Sequence, residues 1–304
     1  MEWFEGAEPD FHQIVSAFLE SDLLDDRYAR LDQAGHTSQE LTPMANLFVD
    51  LPVSDSPTDE PPDETGKPEL QPGFLRELLD AGAQKLDPAS LSLLQTGKRR
   101  MVRVKPDLLY GRYVLIGGPG QGKTTVGQFA CQLYRAAILL DRPNLLPEVR
   151  DAITGIQQHC TSEKLDLPRG RRFSIRVVLN DFAKALADST VTSLVEYITG
   201  IIRERSHREL SSDVLHRWLR FYPWLLVLDG LDEVPASSNR DAVIRSVTQF
   251  LGFANSADAD LLVLATSRPQ GYNSEFSPDY YTHRYLTPLS VRRALIYGAP
   301  IPKV

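Results

Sequence analysis

The first residues whose types and spacing could do chemistry form a glycine-rich stretch that ends in lysine and threonine. It fits the pattern GxxxxGK[ST] and directly follows the apolar run at residues 113–116. Glycines let a backbone wrap closely with its N–H groups pointing inward, and a following helix adds its positive N-terminal end. The pattern therefore predicts a loop that binds polyphosphate, with Lys123 reaching the β- and γ-phosphates and the Thr124 hydroxyl ligating Mg²⁺. The residues predicted to bind the nucleotide are Gly117, Gly118, Pro119, Gly120, Gln121, Gly122, Lys123, Thr124 and Thr125.

A group of acids follows another apolar run further along the chain. Residues 224–228 are apolar and lead into the sequence DGLDE, which begins at Asp229. Enzymes with a phosphate loop hold Mg²⁺ on an aspartate at the carboxyl end of a neighbouring strand, so Asp229 is the predicted metal acid beside Thr124. Asp232 and Glu233 lie one turn further out, where a carboxylate can orient or deprotonate an attacking water. The alternative is a strand that simply ends in solvated acids.

A third apolar run, residues 261–265, ends in the sequence TSRP. A basic side chain at this strand end, between the phosphate loop and the acidic strand, could report on the γ-phosphate. Arginine offers a bidentate fork for phosphate, so Arg268 is the predicted sensor, with Ser267 as an alternative contact. The other interpretation is a surface arginine in a turn before Pro269.

The base of the nucleotide is not specified by a phosphate loop. Folds that bind GTP usually carry an NKxD-type guanine reader. The nearest string, EKLD at residues 163–166, lacks the asparagine and lies in the wrong segment. The sequence therefore favours ATP and ADP, with Mg²⁺, as the cofactors.

Apolar runs that alternate with helical patterns predict the elements that position these groups. Four runs (113–116, 175–179, 224–228 and 261–265) are typical of buried parallel strands, and residues 284–286 are a weaker fifth candidate. We expect an α/β protein, a P-loop NTPase three-layer sandwich around a mostly parallel five-stranded sheet, preceded by a small helical, partly disordered N-terminal region. The predicted organisation is a helical N-terminal region (1–50), an acidic proline-rich linker (51–72), a helical lead-in (73–109), the nucleotide-binding core (110–290) and a short tail (291–304).

Charge is divided unevenly along the chain, whose net charge is -7. Residues 1–72 hold 17 acids and 3 bases, or -14, whereas the other 232 residues hold 23 acids and 30 bases, or +7. The acidic part is either a solvated tail or a partner for the basic part. Basic groups at 98–105 and 169–176 could bind nucleic acid, but they lack aromatic interleaving or a DNA-binding motif. The sequence favours solvated faces or contact with the acidic N-terminal part, and a nucleic-acid-directed role stays open on these groups alone.

Several classes of protein are excluded by composition. No apolar run approaches the length of a membrane span, and the N-terminus has neither the basic nor the apolar part of a secretion signal. We therefore expect a cytoplasmic protein without a membrane contact. The two cysteines, Cys131 and Cys160, show no metal-binding spacing and are predicted to be reduced thiols.

The phosphate loop, the DGLDE sequence and the TSRP strand end together resemble the NACHT branch of the STAND nucleotide-dependent signalling ATPases. The likeness is greatest to bacterial NACHT proteins associated with antiviral defence, and it covers residues 110–290. It implies ATP-driven oligomerisation triggered by a ligand. The site residues that it implies are Lys123 and Thr124 at phosphate and Mg²⁺, Asp229 as metal acid, Asp232 and Glu233 as distal acids, and Arg268 as sensor.

The sequence departs from the family after the fifth predicted strand. STAND proteins continue into a helical lid, a winged-helix element and a C-terminal array of repeats, whereas only residues 291–304 follow here. We expect a chain truncated after the nucleotide-binding core, or one whose lid and sensor come from self-association or a partner chain.

Apart from a nucleic-acid-directed role, which rests only on the basic groups, two hypotheses on function remain open. The first is an ATP-binding signalling switch of the NACHT/STAND type that hydrolyses ATP slowly, as part of a bacterial antiviral defence system. The alternative is a nucleotide-binding interaction module without turnover, or a remnant of a larger sensor. The intact acidic cluster favours an ATPase, and the expected lack of a lid favours the alternative.

Overall fold

The computed structural model describes residues 9–28, 43–46, 48–57, 73–84, 86, 111–235 and 239–287. Much of the predicted linker and lead-in and all of the tail lie outside these residues, so the predicted domain boundaries stay predictions. The part of the chain that is described is a mixed α/β structure around one sheet.

The sheet has six strands in the order β1-β6-β2-β5-β4-β3, and all neighbours are parallel except β1 and β6. All five predicted strands are present. The predicted number of five is wrong, because a two-residue strand from the start of the predicted linker pairs with β6. The strands are β1 (Val53–Ser54), β2 (Arg112–Ile116), β3 (Phe173–Val178), β4 (Trp224–Asp229), β5 (Leu261–Ser267) and β6 (Thr282–Leu286).

Eight α-helices accompany the sheet within the described residues. Short 3₁₀ helices also occur at Met44–Asn46 and Leu231–Glu233. The α-helices are α1 (Pro9–Asp25), α2 (Phe74–Gly82), α3 (Lys123–Leu139), α4 (Pro147–Ser162), α5 (Leu179–Ala187), α6 (Leu194–Ser206), α7 (Ser212–Phe221) and α8 (Arg240–Ser256).

The centre of the sheet is apolar on both faces. Every residue of β2, β4 and β5 is buried, as expected for central parallel strands covered by helices. Helix α3 packs across β3, β4 and β5. A Cβ added at Gly127 would lie 2.8 Å from Val227 Cγ1, so the glycine allows α3 to approach β4 closely. This close packing fixes the start of α3 relative to the ends of the strands.

Helix α1 packs on the side of α3 and against α6. Its apolar residues repeat at helical spacing and lie on one face, where Val15, Phe18 and Leu19 are fully buried. The Phe18 ring lies 5.1 Å from the ring of Phe173 on β3. The N-terminal helix is therefore part of the same hydrophobic core as the sheet.

Two other expectations concern composition. Cys131 and Cys160 are both free and buried, in agreement with the predicted reduced thiols. No helix within the described ranges is both long and apolar enough to cross a bilayer.

Candidate nucleotide-binding site

The glycine-rich loop joins the end of β2 to the start of α3, as predicted. Gly122 caps α3 with φ 80°, a left-handed conformation that favours glycine and turns the loop into the helix. The Lys123 side chain is buried and its Nζ donates to the carbonyl oxygens of Gly117 (2.7 Å) and Gly118 (2.9 Å). Burial lowers the pKa of Lys123, and Asp232 opposes that effect. The ammonium of Lys123 is thus held against the backbone of the loop.

The register of the sheet brings the predicted site residues to one edge. Ile116 at the end of β2 is opposite Ser267, and Leu228 near the end of β4 is opposite Ala265. Strand β5 lies between β2 and β4, which confirms the predicted position of the TSRP strand end. The carboxyl ends of these parallel strands form the crevice in which such folds bind ligands.

The hydroxyl of Thr124 donates to Asp229 Oδ1 at 3.2 Å, so the two predicted metal contacts meet. Asp229 is buried and lies at the end of β4. Thr266 on β5 also donates to Asp229 Oδ1 at 2.7 Å, while its Oγ1 accepts the backbone N–H of Gly230 at 2.9 Å. These bonds hold the orientation of the carboxylate toward the phosphate loop.

This pair of oxygens suits Mg²⁺ that arrives with a nucleotide. Among the described residues, no group of three or more His, Cys, Asp or Glu side chains could hold a metal by itself. Mg²⁺ is commonly bound through one or two protein groups, while phosphates and waters complete its octahedral shell at about 2.1 Å. Adjacent oxygens of such a shell lie about 3 Å apart, close to the separation of Thr124 Oγ1 and Asp229 Oδ1.

The two distal acids have different surroundings. Gly230, at φ 78°, turns the chain so that Leu231–Glu233 form a 3₁₀ turn beyond β4. Both oxygens of Asp232 contact Arg268, whereas Glu233 is exposed at the rim of the cavity described below. Partial burial, followed by the charges of Asp229 and Asp232, raises the pKa of Glu233. Of the two acids, Glu233 is therefore better suited to accept a proton.

Arg268 lies at the edge of the crevice, and its side chain contacts Asp232. Its backbone N–H donates to Asp232 Oδ1 at 3.0 Å, and its Nε lies 2.9 Å from Asp232 Oδ2. The arginine side chain is 43% exposed, so it is accessible from the crevice. Ser267 is fully buried and its hydroxyl donates to the carbonyl of Arg268, which leaves the arginine as the more accessible of the two candidate contacts.

The sequence reasoning missed the basic residue that contacts the metal acid. Arg176 on β3 places Nη1 3.2 Å from Asp229 Oδ2 and Nη2 3.1 Å from Asp26 Oδ1, just beyond α1. Burial opposes its charge, but Asp26 and Asp229 together raise the pKa of Arg176. Its position as a charged residue within the apolar run 175–179 was the available signal, but the sequence pattern placed it in the basic group 169–176.

The acidic N-terminal part contacts the basic part, the second of the two alternatives drawn from the charge division. Asp22 pairs with the fully buried Arg135 of α3 and with Arg205 of α6. Asp26 Oδ2 lies 2.9 Å from Arg135 Nη1. The two arginines Arg135 and Arg176 lower the pKa of Asp26 despite its burial. The end of α1 is therefore held by ion pairs from α3, α6 and β3.

A cavity of about 720 Å³ connects these groups. It extends from Thr124, Thr125 and Asp229 at the phosphate loop to the end of α1 and to Glu204 on α6. Asn180 and Asp181, in the first turn of α5, also line it. The cavity is polar and adjoins the predicted position of the metal.

Comparisons with known proteins leave the family of the chain unassigned. No family model matches the sequence, and no curated protein matches it. Among solved structures, PCH-2 of C. elegans is similar, at 16% identity and a TM-score of 0.33 over 76% of this chain. The chain spans 49% of that protein, about half of its length. A likeness at this TM-score is too weak to show a shared fold or function.

The class of fold follows from the chain's own geometry. A parallel α/β sheet, a glycine-rich loop between a strand and a helix, and an acid at the end of a nearby strand are the features of a P-loop NTPase-like fold.

Proposed function

We propose that this protein binds ATP with Mg²⁺ and hydrolyses it slowly as a signalling switch of the NACHT/STAND type. The observation that carries the proposal is the 3.2 Å contact between Thr124 Oγ1 and Asp229 Oδ1, two residues far apart in the sequence. One is the hydroxyl that a phosphate loop supplies for Mg²⁺, and the other is the acid that such folds place opposite it.

In this proposal, each residue of the site has a separate role. Lys123 and the loop N–H groups would hold the β- and γ-phosphates. Thr124 and Asp229 would hold Mg²⁺, which supplies charge neutralisation on the phosphate oxygens when it is bound. Glu233 would accept a proton from the attacking water, since its raised pKa and exposed carboxylate suit a base. Arg268 would contact the γ-phosphate after leaving Asp232.

The alternative, a nucleotide-binding module without turnover, is supported by the contact between Arg268 and Asp232. While that pair persists, the candidate sensor is directed to a carboxylate and not to phosphate. Phosphate release under saturating Mg·ATP distinguishes the two functions. Release above the background of an Asp229→Asn variant supports the switch, and binding without release supports the module.

Titration calorimetry of the full chain with ATP, ADP and GTP, with and without Mg²⁺, tests the proposal directly. We expect dissociation constants for ATP and ADP in the micromolar range, about -8 kcal/mol at 1 μM, tightened by Mg²⁺. Thr124→Val removes only the hydroxyl and should abolish the Mg²⁺ effect. The exposed Thr154→Val on α4 is the matched control. No ATP binding by the parent, or equal affinity for GTP, would contradict the proposal.

The wider role is proposed from the sequence resemblance. In the NACHT/STAND family, nucleotide state controls self-association, and we extend this to a role in a bacterial antiviral defence system. Sedimentation of the chain with Mg·ATP and with Mg·ADP provides the measurement. A nucleotide-dependent change in mass supports self-association, and identical profiles count against it.

A further inference from the structure

The metal acid is bound on both of its oxygens, and the two sides differ in charge. Asp229 Oδ1 accepts from the neutral hydroxyls of Thr124 and Thr266, whereas Oδ2 faces the guanidinium of Arg176. Because Mg²⁺ and a guanidinium are both attracted to a carboxylate, the pair with Arg176 competes with metal binding at Asp229. A largely buried cation therefore lies where it reduces the negative charge of the predicted metal site.

Arg176 is also shared with the N-terminal helix. Its distances to Asp26 (3.1 Å) and Asp229 (3.2 Å) are nearly equal, and its side chain is only 14% exposed. Asp26 is fixed in turn by Arg135 of α3, and Gln128 of α3 donates to its backbone carbonyl at 3.1 Å. Because Arg176 pairs with Asp26 as well as with Asp229, its positive charge offsets less of the negative charge of Asp229.

We propose that Arg176 is a positioning residue that couples the docking of α1 to metal affinity. With α1 in place, Asp26 holds one nitrogen of Arg176 and leaves Asp229 available to the metal. With Asp26 removed, Arg176 pairs with Asp229 alone and metal affinity falls. By linkage, metal at Asp229 strengthens the contact between Arg176 and Asp26 and so stabilises α1. This inference rests on the proposed function and adds a regulator of the same site.

Two substitutions of opposite effect test the coupling. Arg176→Gln should increase the affinity for Mn²⁺, used with ADP as a probe for Mg²⁺, by about tenfold. Asp26→Asn should decrease it by about threefold or more, because the guanidinium then neutralises Asp229. In the Arg176→Gln background, Asp26→Asn should have little effect. Free Mn²⁺ is counted by electron paramagnetic resonance, which measures binding without requiring turnover.

Matched controls separate this mechanism from a general effect of charge. Asp25→Asn removes an exposed acid at the end of the same helix, whose contact with Arg205 is a surface ion pair, and Arg203→Gln removes an exposed base of α6 that contacts Glu209. Both should change Mn²⁺ affinity less than twofold. Circular dichroism and thermal melts identify variants that fold. If Arg176→Gln does not fold, Asp26→Asn still tests the idea, since unchanged or tighter Mn²⁺ binding overturns it.

A second readout follows the N-terminal helix itself. Hydrogen exchange of the α1 amides should slow by about threefold or more on addition of Mn·ADP to the parent, but not to the Arg176→Gln variant. Equal slowing in both would overturn the coupling. If the parent binds no nucleotide at all, that result contradicts the proposed function itself. A parent that binds Mn·ADP but shows equal Mn²⁺ affinity in all variants refutes the coupling alone.

Discussion

Asp232 and Arg268 contact each other through two bonds, so the predicted distal acid and the predicted sensor form one unit. Asp232 Oδ1 accepts the backbone N–H of Arg268 at 3.0 Å, and its Oδ2 lies 2.9 Å from the Nε of the same residue. The pair joins the turn after β4 to the end of β5. Asp232 therefore positions Arg268, and Glu233 is left as the acid that can face water.

The pairing predicts opposite effects of two substitutions on nucleotide preference. Asp232→Asn should free Arg268 and increase the preference for ATP over ADP by about fivefold, because a guanidinium bonds strongly to the γ-phosphate. Arg268→Gln should decrease that preference by a similar factor. Competition binding with labelled ADP measures both. If Asp232→Asn still changes the preference in an Arg268→Gln background, the acid acts by another route.

Lys123→Ala should remove most of the affinity for Mg·ATP while the fold is retained. Within the described residues, the Lys123 ammonium donates to the carbonyls of Gly117 and Gly118, so the substitution removes a positive charge from the loop more than it removes packing. We expect affinity to fall by about 10- to 100-fold. Thermal shift with Mg·ATP is the measurement, and Lys184→Ala, on exposed α5 surface, is the control. Equal stabilisation of Lys123→Ala and parent by ATP would contradict the phosphate assignment.

Glu233→Gln should retain nucleotide binding but reduce phosphate release by about 10²-fold or more, since the amide cannot accept the proton of water. The pH dependence of the parent gives a second check. Because partial burial and two neighbouring acids raise the pKa of Glu233 above its ordinary value of 4.5, activity should fall with decreasing pH through a pKa above 4.5. A parent and variant with equal release would show that Glu233 is not the base.

The same carboxylate should reduce the stability of the folded protein. An acid whose pKa is raised on folding binds more protons in the native state, so its contribution to stability decreases as pH rises from 4.5 through the raised pKa. Glu233→Gln removes that loss and should increase the melting temperature at pH 7 without nucleotide. The gain should vanish near pH 4. A variant that is less stable than the parent at pH 7 would contradict the assigned direction.

Arg135→Met should destabilise the protein strongly. The arginine is fully buried between Asp22 and Asp26, and its removal leaves the buried Asp22 and the largely buried Asp26 with less charge compensation. The expected loss is about 3 to 5 kcal/mol in urea unfolding. As a control, Arg203→Ala breaks an exposed contact with Glu209 at 3.9 Å and should change stability by about 0.5 kcal/mol or less. Similar losses for both variants would mean that the buried network does not anchor α1.

The sequence alone located the glycine-rich loop, five of the six strands and the acid at the end of β4. These features depend on residues that are contiguous or periodic: the glycines and Lys123 follow one another along the loop, and runs such as 224–228 are apolar because both faces of a central strand are buried. Asp229 was found because a single strand carries it to the site. Local sequence pattern is enough to predict a site residue where a single segment forms the strand or loop and also carries the side chain that acts at the site.

Only the tertiary structure decided which distant charges meet. Strand order and the docking of α1 bring Asp26, Arg176 and Asp229 together, and periodicity contains no information on that order. The two-residue strand β1 was missed for a related reason, since two residues are too few to show alternation and the strand exists through its pairing with β6. The Arg176 side chain is only 14% exposed, and a charge that is largely removed from water requires an opposite charge nearby, so it pairs with Asp26 and Asp229.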